Sequence, residues 1–297
     1  MGTRSRHLLR LHLAPFCLAL VALTTLMLAG QVEKRLPELR SEGVPSSVIV
    51  EMFVLSVLFI VAVTLPMAVL IAVLRVFTRL GADSEIGVRR WSGVGVLRLI
   101  APALVAAACV AAGSFLWNDR ILPRSNHRLR TMLAHIEHPT SPSADAYKSS
   151  RDMSTSELRQ AVTYARDDVD RAMRGGSVAR TEAARQRQAM FEVELQKKYS
   201  IAATCFVLAL FGAAMGLSLP SRGMALVLGI STGTFICYYV SLIGGEELAE
   251  RLIISPFLGM WTLNLLFAAI GVLVLWRVMR LGWGADGQGL ADPEPSR

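Results

Sequence analysis

The stretch "MFVLSVLFIVAVTLPMAVLIAVL", residues 52–74, holds no Asp, Glu, Lys or Arg. A helix rises about 1.5 Å per residue, so a run this long reaches across a hydrocarbon layer of ~30 Å. A charge at its centre would cost roughly 2.5–3.5 kcal/mol on an insertion scale. Five further windows are equally free of charge: residues 11–32, 99–118, 199–221, 223–245 and 252–276. A soluble core would have to bury six such runs, which a chain of 297 residues does not have the bulk to do. Composition agrees, with 53% hydrophobic residues and a mean hydropathy of +0.46. The expected fold is an all-α integral membrane protein with six transmembrane helices in a 3+3 layout.

Working outward from the windows, the charges between them give an orientation. Arg4, Arg6 and Arg10 precede the first window, and Arg75, Arg79, Arg89, Arg90 and Arg98 fall between the second and third. Arg222 separates the fourth from the fifth, and Arg277 and Arg280 follow the sixth. All lie on one side if the N-terminus is cytoplasmic, as the excess of Lys and Arg on the inner side requires. The short loops on the other side, residues 33–51 and 246–251, mix signs or lean acidic. The net charge of +8 is therefore a topology signal first, and a property facing anionic lipid heads second. Nucleic acid is not an expected partner. The first window follows arginines as a secretory signal would, but it exceeds the roughly 7–15 residues of a signal core and reads as a retained span. Cys17, Cys109, Cys205 and Cys237 all fall inside windows without CxxC spacing, so they read as small hydrophobes.

Four regions follow. Residues 1–118 carry spans one to three, and residues 119–198 form an extracytoplasmic insert. Residues 199–280 carry spans four to six, and residues 281–297 form a Gly/Pro-rich cytoplasmic tail expected to be disordered. Within the insert, "RSNHRLRTMLAHIEHPTSPSADAYKSS" is polar and Pro/Ser-punctuated and reads as a linker. "STSELRQAVTYARDDVDRAMRGG" reads as a helix: Ser154 and Glu157 make a capping box, Leu158, Val162, Ala165, Val169 and Met173 recur at helical spacing, and Gly175–Gly176 supply a stop. A second helix is expected to begin near Val178 and run into span four. The insert is thus a small helical hairpin, with no strand-like alternation.

Chemistry is sparse. There is no GxxxxGK[ST], HExxH or GxSxG. His127, His135 and His138 lie close together in the linker, and solvated loop histidines are the commoner reading than a metal site. No window holds an Asp–His or Glu–Lys pair of the kind proton-coupled pumps use. No enzyme activity, cofactor or metal is expected, so any energy must come from another subunit. The polar stretch "LGADSEIGVRRWSGVGVLRLI", residues 80–100, faces the cytoplasm in this orientation. Asp83 and Ser84 can cap a helix, Glu85, Arg89 and Arg90 make its polar side, and Ile86, Val88 and Trp91 its apolar one. Gly93 and Gly95 are expected to break it before span three. Such a helix could dock a soluble partner or lie in the headgroups.

Several segments together resemble one family. "LLRLHLAPFCLALVALTTLMLAGQ" resembles its first span, and "LPMAVLIAVLRVFTRLGADSEIGVRRWSGVGVLRLIAP" its second span, coupling helix and third span. "NDRILPRSNHRLR", "MSTSELRQAV", "KKYSIAATCFVLALFGAAMGLSLPSRGM" and "PFLGMWTLNLLFAAIGVLVL" follow in the family's order. The family is that of the lipopolysaccharide export permeases, LptF/LptG (also YjgP/YjgQ). The resemblance implies an inner-membrane permease subunit that pairs with a second permease and binds a cytoplasmic ABC ATPase dimer. ATP is used by that partner, and lipopolysaccharide is extracted from the inner membrane for transport to the outer one. It implies an ATPase-coupling segment at Asp83, Ser84, Glu85, Arg89, Arg90, Ser92 and Gly93, and lipid contact at Lys34 and Arg35, whose alternative is interfacial anchoring. Spans one and five would form a lateral gate. The chain departs from the family in one respect: a β-jellyroll is expected between spans three and four, where this sequence shows only a linker and a helical hairpin. Transport of another envelope lipid, or a non-transport scaffold, are the alternatives.

Overall fold

A computed structural model describes residues 3–41, 44–83, 93–137, 149–219 and 224–284. These residues form helices α1 (Thr3–Ser41), α2 (Ser46–Asp83), α3 (Gly93–Leu116), α4 (Leu122–Glu137), α5 (Thr155–Arg174), α6 (Val178–Ser218), α7 (Met224–Glu250) and α8 (Pro256–Gly284). A π-turn at Trp117–Ile121 joins α3 to α4, and a 3₁₀ turn at Ser150–Asp152 precedes α5. No strand occurs among the described residues. Six helices are long and apolar enough to cross a membrane, as the charge-free windows predict: Arg10–Pro37, Ser46–Leu80, Val96–Leu129, Val178–Ser218, Ala225–Glu250 and Pro256–Arg280.

The bundle is organised around α2 and α6. These two pack along each other, α1 and α3 flank them on one side, and α8 backs α6 with α7 beside it. Burial follows this plan: 61% of the apolar window of both α2 and α6 lies inside the bundle, against 6% for α1 and 22% for α7. In lipid there is no hydrophobic force to press helices together, so close packing depends on small residues that admit a neighbouring backbone. α6 supplies "GAAMG", a small-xxx-small motif at Gly212 and Gly216. A Cβ on Gly216 would stand 2.8 Å from Phe77 Cβ and 3.0 Å from the Leu74 carbonyl oxygen. At Gly212 it would stand 3.0 Å from Leu70 Cδ1. The same device joins α7 to α8, where a Cβ on Gly245 would fall 2.3 Å from the Gly259 carbonyl oxygen.

Polar side chains add specific ties between the spans. Asn264 on α8 donates to Ser200 Oγ at 2.9 Å and to the Ser200 carbonyl at 3.1 Å. Its carbonyl oxygen lies 2.9 Å from Thr204 Oγ1, which is also 2.8 Å from Tyr238 Oη. One buried cluster thereby links α6, α7 and α8. On the other side, Trp117 Nε1 donates to the Leu58 carbonyl at 3.1 Å, and Thr24 and Thr64 hydroxyls meet at 3.2 Å across α1 and α2. Tyr239 donates to the Val63 carbonyl at 3.2 Å, tying α7 to α2.

One sequence expectation changes. Residues 124–137, read as the start of a linker, lie in helix α4, continuous with the third span through the π-turn. Leu129 and Met132 pack on Leu39, Ile49 and Met52 at the α1–α2 turn, and Arg128 pairs with Glu51. Tertiary burial of one face therefore overrides a polar composition. The coupling helix expected at about 83–92 falls on residues 84–92 outside the described ones. Leu80–Asp83 belong to α2, and α3 begins at Gly93 and includes Gly95. A glycine costs about 1 kcal/mol in a helix, too little to stop a long apolar one.

The local signals in the insert are met. Ser154 and Glu157 close a reciprocal capping box at the start of α5, and Gly176 takes a left-handed backbone, φ +70°, after its end. Leu158, Val162, Ala165 and Val169 are its buried stripe, facing α6, whereas Met173, the last of the spaced positions, is exposed. The turn between α7 and α8 ends with Ile253 N–H donating to the Leu248 carbonyl and Leu252 N–H to that of Ala249. This is a Schellman arrangement with Leu252, at φ 61°, where glycine is usual.

Candidate functional site

The two ends of the bundle differ in chemistry. At one end α1 starts, α2 finishes, α3 starts and α8 finishes, and the core cluster of Phe16, Phe77, Val96, Leu275 and Met279 holds these ends together. Arginines gather there: Arg10, Arg75, Arg79 and Arg98, with Arg280 stacked 3.9 Å over the Trp276 ring. Asp83 is the last residue of α2 and Gly93 the first of α3. The predicted coupling residues Ser84, Glu85, Arg89, Arg90 and Ser92 lie between them, outside the described residues.

The opposite end is a network of both signs, and it fixes the α5–α6 hairpin to the spans. Its anchor is Lys198, a buried lysine on α6. The π-turn explains why a cation is needed there. Leu122 N–H is used by the Trp117 carbonyl, and Pro123 has none to give, so the Asn118 carbonyl has no ordinary helix donor. Lys198 Nζ donates to it at 3.0 Å and to the Met153 carbonyl at 2.8 Å. Asp119, one residue on, accepts the Thr155 N–H at 2.6 Å, so a carboxylate from the third span meets the positive end of α5. Nearby, Glu246 on α7 joins Lys197 at 2.8 Å and Arg151 at 3.0 Å. Burial works against the charge of Arg151, but facing Glu246 and Glu194 it is held above its ordinary pKa. Trp261 Nε1 donates to Gln196 at 3.0 Å, tying the same stretch of α6 to α8. None of Lys198, Asp119 or Glu246 stands out in the sequence. Each lies within a residue or two of a window edge, where a charge is unremarkable.

Lys34 and Arg35, the predicted lipid contacts, stand exposed on the last turns of α1. They are neighbours in sequence, about 100° apart around the helix, so their side chains leave it in different directions. The helices that carry the proposed gate expose apolar side chains along their length: Leu13, Leu18, Val21 and Leu26 on α1, and Leu228, Ile236, Val240 and Ile243 on α7. His127 Nδ1 lies 3.9 Å from Asp152, and no group of His, Cys, Asp and Glu able to hold a metal occurs among the described residues. The arrangement presents apolar sides of the kind a membrane span offers to lipid, with charge confined to its two ends.

Comparison with family models matches residues 6–145 and 137–277 to the lipopolysaccharide export system permease LptF/LptG. The two stretches overlap over residues 137–145, from the last residue of α4 onwards. A search of curated proteins returns no match.

Proposed function

We propose that this chain, which belongs to the lipopolysaccharide export permease family LptF/LptG, is one transmembrane subunit of an ABC-type exporter that draws lipopolysaccharide out of the inner membrane. It is a multi-pass membrane protein of a transport family, with six apolar helices. The observation that carries the reading is the extent of the family match, which takes in all six spans. In the proposed orientation both termini are cytoplasmic, in keeping with the arginines at the end where Asp83 and Gly93 bracket the coupling segment. A separate ATPase dimer docks there, with Glu85 pairing a basic group on it, and a second permease completes the complex. Exposed apolar faces on α1 and α7 suit a lateral opening for acyl chains. Lys34 and Arg35 meet lipid phosphates at the outer end of α1.

The test of coupling is recovery of the complex. Glu85→Arg is expected to leave membrane insertion unchanged and to lower ATPase copurification at least about tenfold, as reversing one partner of a close ion pair at an interface does. Undiminished recovery would remove the coupling role. Lys34→Asp is expected to weaken photo-crosslinking between the outer end of α1 and lipid, and an unchanged crosslink would leave Lys34 as an anchor only.

One observation favours keeping a second reading. The described residues between the third and fourth spans are helical, without the β-jellyroll that the family resemblance implies. Either the partner permease supplies the receiving domain, or this subunit serves another envelope lipid. Mass analysis of lipids retained by the purified complex separates these.

A further inference from the structure

α6 is one unbroken helix of 41 residues, about 60 Å long. It holds no proline, whereas α1, α2 and α3 each hold at least one. Residues from 199 onwards form the fourth span, and those before it form one limb of the α5–α6 hairpin. Its sideways ties are unevenly placed. Gln196 accepts from Trp261 on α8, and Lys198 donates to the Asn118 and Met153 carbonyls. Ser200 and Thr204 bond Asn264 on α8, and Thr204 also meets Tyr238 on α7. All these lie within residues 196–204. Further in, contact is made by Ala209, Gly212, Ala213, Ala214 and Gly216, all buried. Ser218 bonds the Met215 carbonyl of its own helix, and among the described residues no hydrogen bond joins positions 206–218 to another helix. Hydrogen bonds fix direction, whereas dispersion contacts between small residues do not. A helix held this way is pinned at one level and can tilt about it.

The two arms reach opposite ends of the molecule. The inner arm, from Ser200 to Gly216, is about 24 Å long. It ends where a Cβ on Gly216 would stand 3.0 Å from the Thr78 nitrogen, and Thr78 lies within two turns of Asp83 at the end of α2. Backbone meets backbone there, with no compliant side chain between, so a sideways shift of the end of α2 passes directly to α6. The outer arm, from Ser200 to Val178, is about 33 Å long. Along it α5 is fastened to α6 by its buried stripe, by Arg166 on Glu192 at 2.7 Å and by Arg159 on Tyr199 Oη at 2.5 Å. The ties that hold the hairpin to other helices, Asp119 to the Thr155 N–H and Arg151 to Glu246, sit at its root beside Lys197 and Lys198. They restrain the pivot and not the tip.

We infer that α6 is a two-armed lever, pivoting at the layer from Gln196 to Thr204, with the α5–α6 hairpin as its outer arm. A shift of the inner ends of α2 and α6 swings the hairpin tip in the opposite direction, by about 6 Å for a tilt of about 10°. The hairpin thereby carries motion from one side of the membrane to the other. The source of that motion rests on the ATPase docking proposed above, whereas the lever itself does not.

Distances between pairs of spin labels in the full complex, in a background lacking Cys17, Cys109, Cys205 and Cys237, test this. A reference label at Ser47→Cys, near the start of α2, is paired with Ser177→Cys at the hairpin tip or with Ser156→Cys at its root. Between the nucleotide-free and the vanadate-trapped complex, the tip distance is expected to change by at least about 5 Å and the root distance by less than about 2 Å. Equal changes would mean that the whole insert translates. An unmoved tip with ATPase bound and turning over would mean a static hairpin, and a tip distribution much broader than that of the root would mean a hairpin that bends. Each of these overturns the lever. Gly216→Val gives a push that needs no ATPase, because its side chain would wedge α6 away from Phe77. It is expected to move the tip by about 2–3 Å without nucleotide and the root by less than about 1 Å. A folded Gly216→Val protein with its tip in place would also overturn the lever. The lever and the ATPase docking can therefore fail separately: a Gly216→Val shift without ATPase copurification would remove the docking alone.

Discussion

α6 and α1 are both long apolar helices, yet the bundle uses them in opposite ways. α6 is buried over 61% of its apolar window and touches most other elements, whereas α1 is buried over 6% and rests chiefly on α2. Within their charge-free windows both are apolar almost all round, so hydropathy does not separate them. The difference lies in what interrupts the apolar surface. α6 carries Gly212 and Gly216, which admit α2, and Ser200 and Thr204, which bond to α7 and α8. α1 carries Gly30 with nothing within 4 Å of its missing Cβ, and large side chains that point away from the bundle. A helix fixed by small and polar residues is scaffold. A helix held by one neighbour is free to meet lipid or another subunit.

The largest break in that comparison is expected at the α2–α6 contact. Gly216→Leu would drive a side chain into Phe77 and the backbone of Leu74, and is expected to cost about 3 kcal/mol or to prevent assembly of the bundle. Unfolding in detergent followed by tryptophan fluorescence measures it. Asn264→Leu keeps the branching and heavy-atom count of the side chain but removes the ties to Ser200 and Thr204. At about 0.6 kcal/mol for an interhelical hydrogen bond in a membrane, its expected cost is about 1 kcal/mol in the same assay. Gly30→Leu on α1 is expected to change stability by less than about 0.5 kcal/mol. A large loss there would mean that α1 is packed as α6 is, and the contrast would fail.

How much of this was legible varies with the range of the interaction. The six spans could be read because a charge in hydrocarbon is costly, so its absence over twenty residues is informative. The capping box at Ser154 and Glu157 could be read because both partners lie within one turn. α4 could not, because its helical state depends on packing against Leu39, Ile49 and Met52, far off in the chain. Nor could the role of Lys198, which exists because Pro123 leaves the Asn118 carbonyl without its helix donor. The arginines at positions 10, 75 and 79 were legible as a signal of sidedness. Glu85 and its neighbours rest on sequence resemblance, as do the lipid roles of Lys34 and Arg35.

The account turns on the stretch between Asp83 and Gly93 facing the compartment that holds ATP. A single cysteine at position 85, Glu85→Cys, in a background lacking Cys17, Cys109, Cys205 and Cys237 would report this through a membrane-impermeant maleimide. The expected result is labelling in inverted vesicles and not in intact spheroplasts, with labelling suppressed when the ATPase is bound. Labelling from the periplasmic side would contradict the orientation, and with it the proposed mode of coupling.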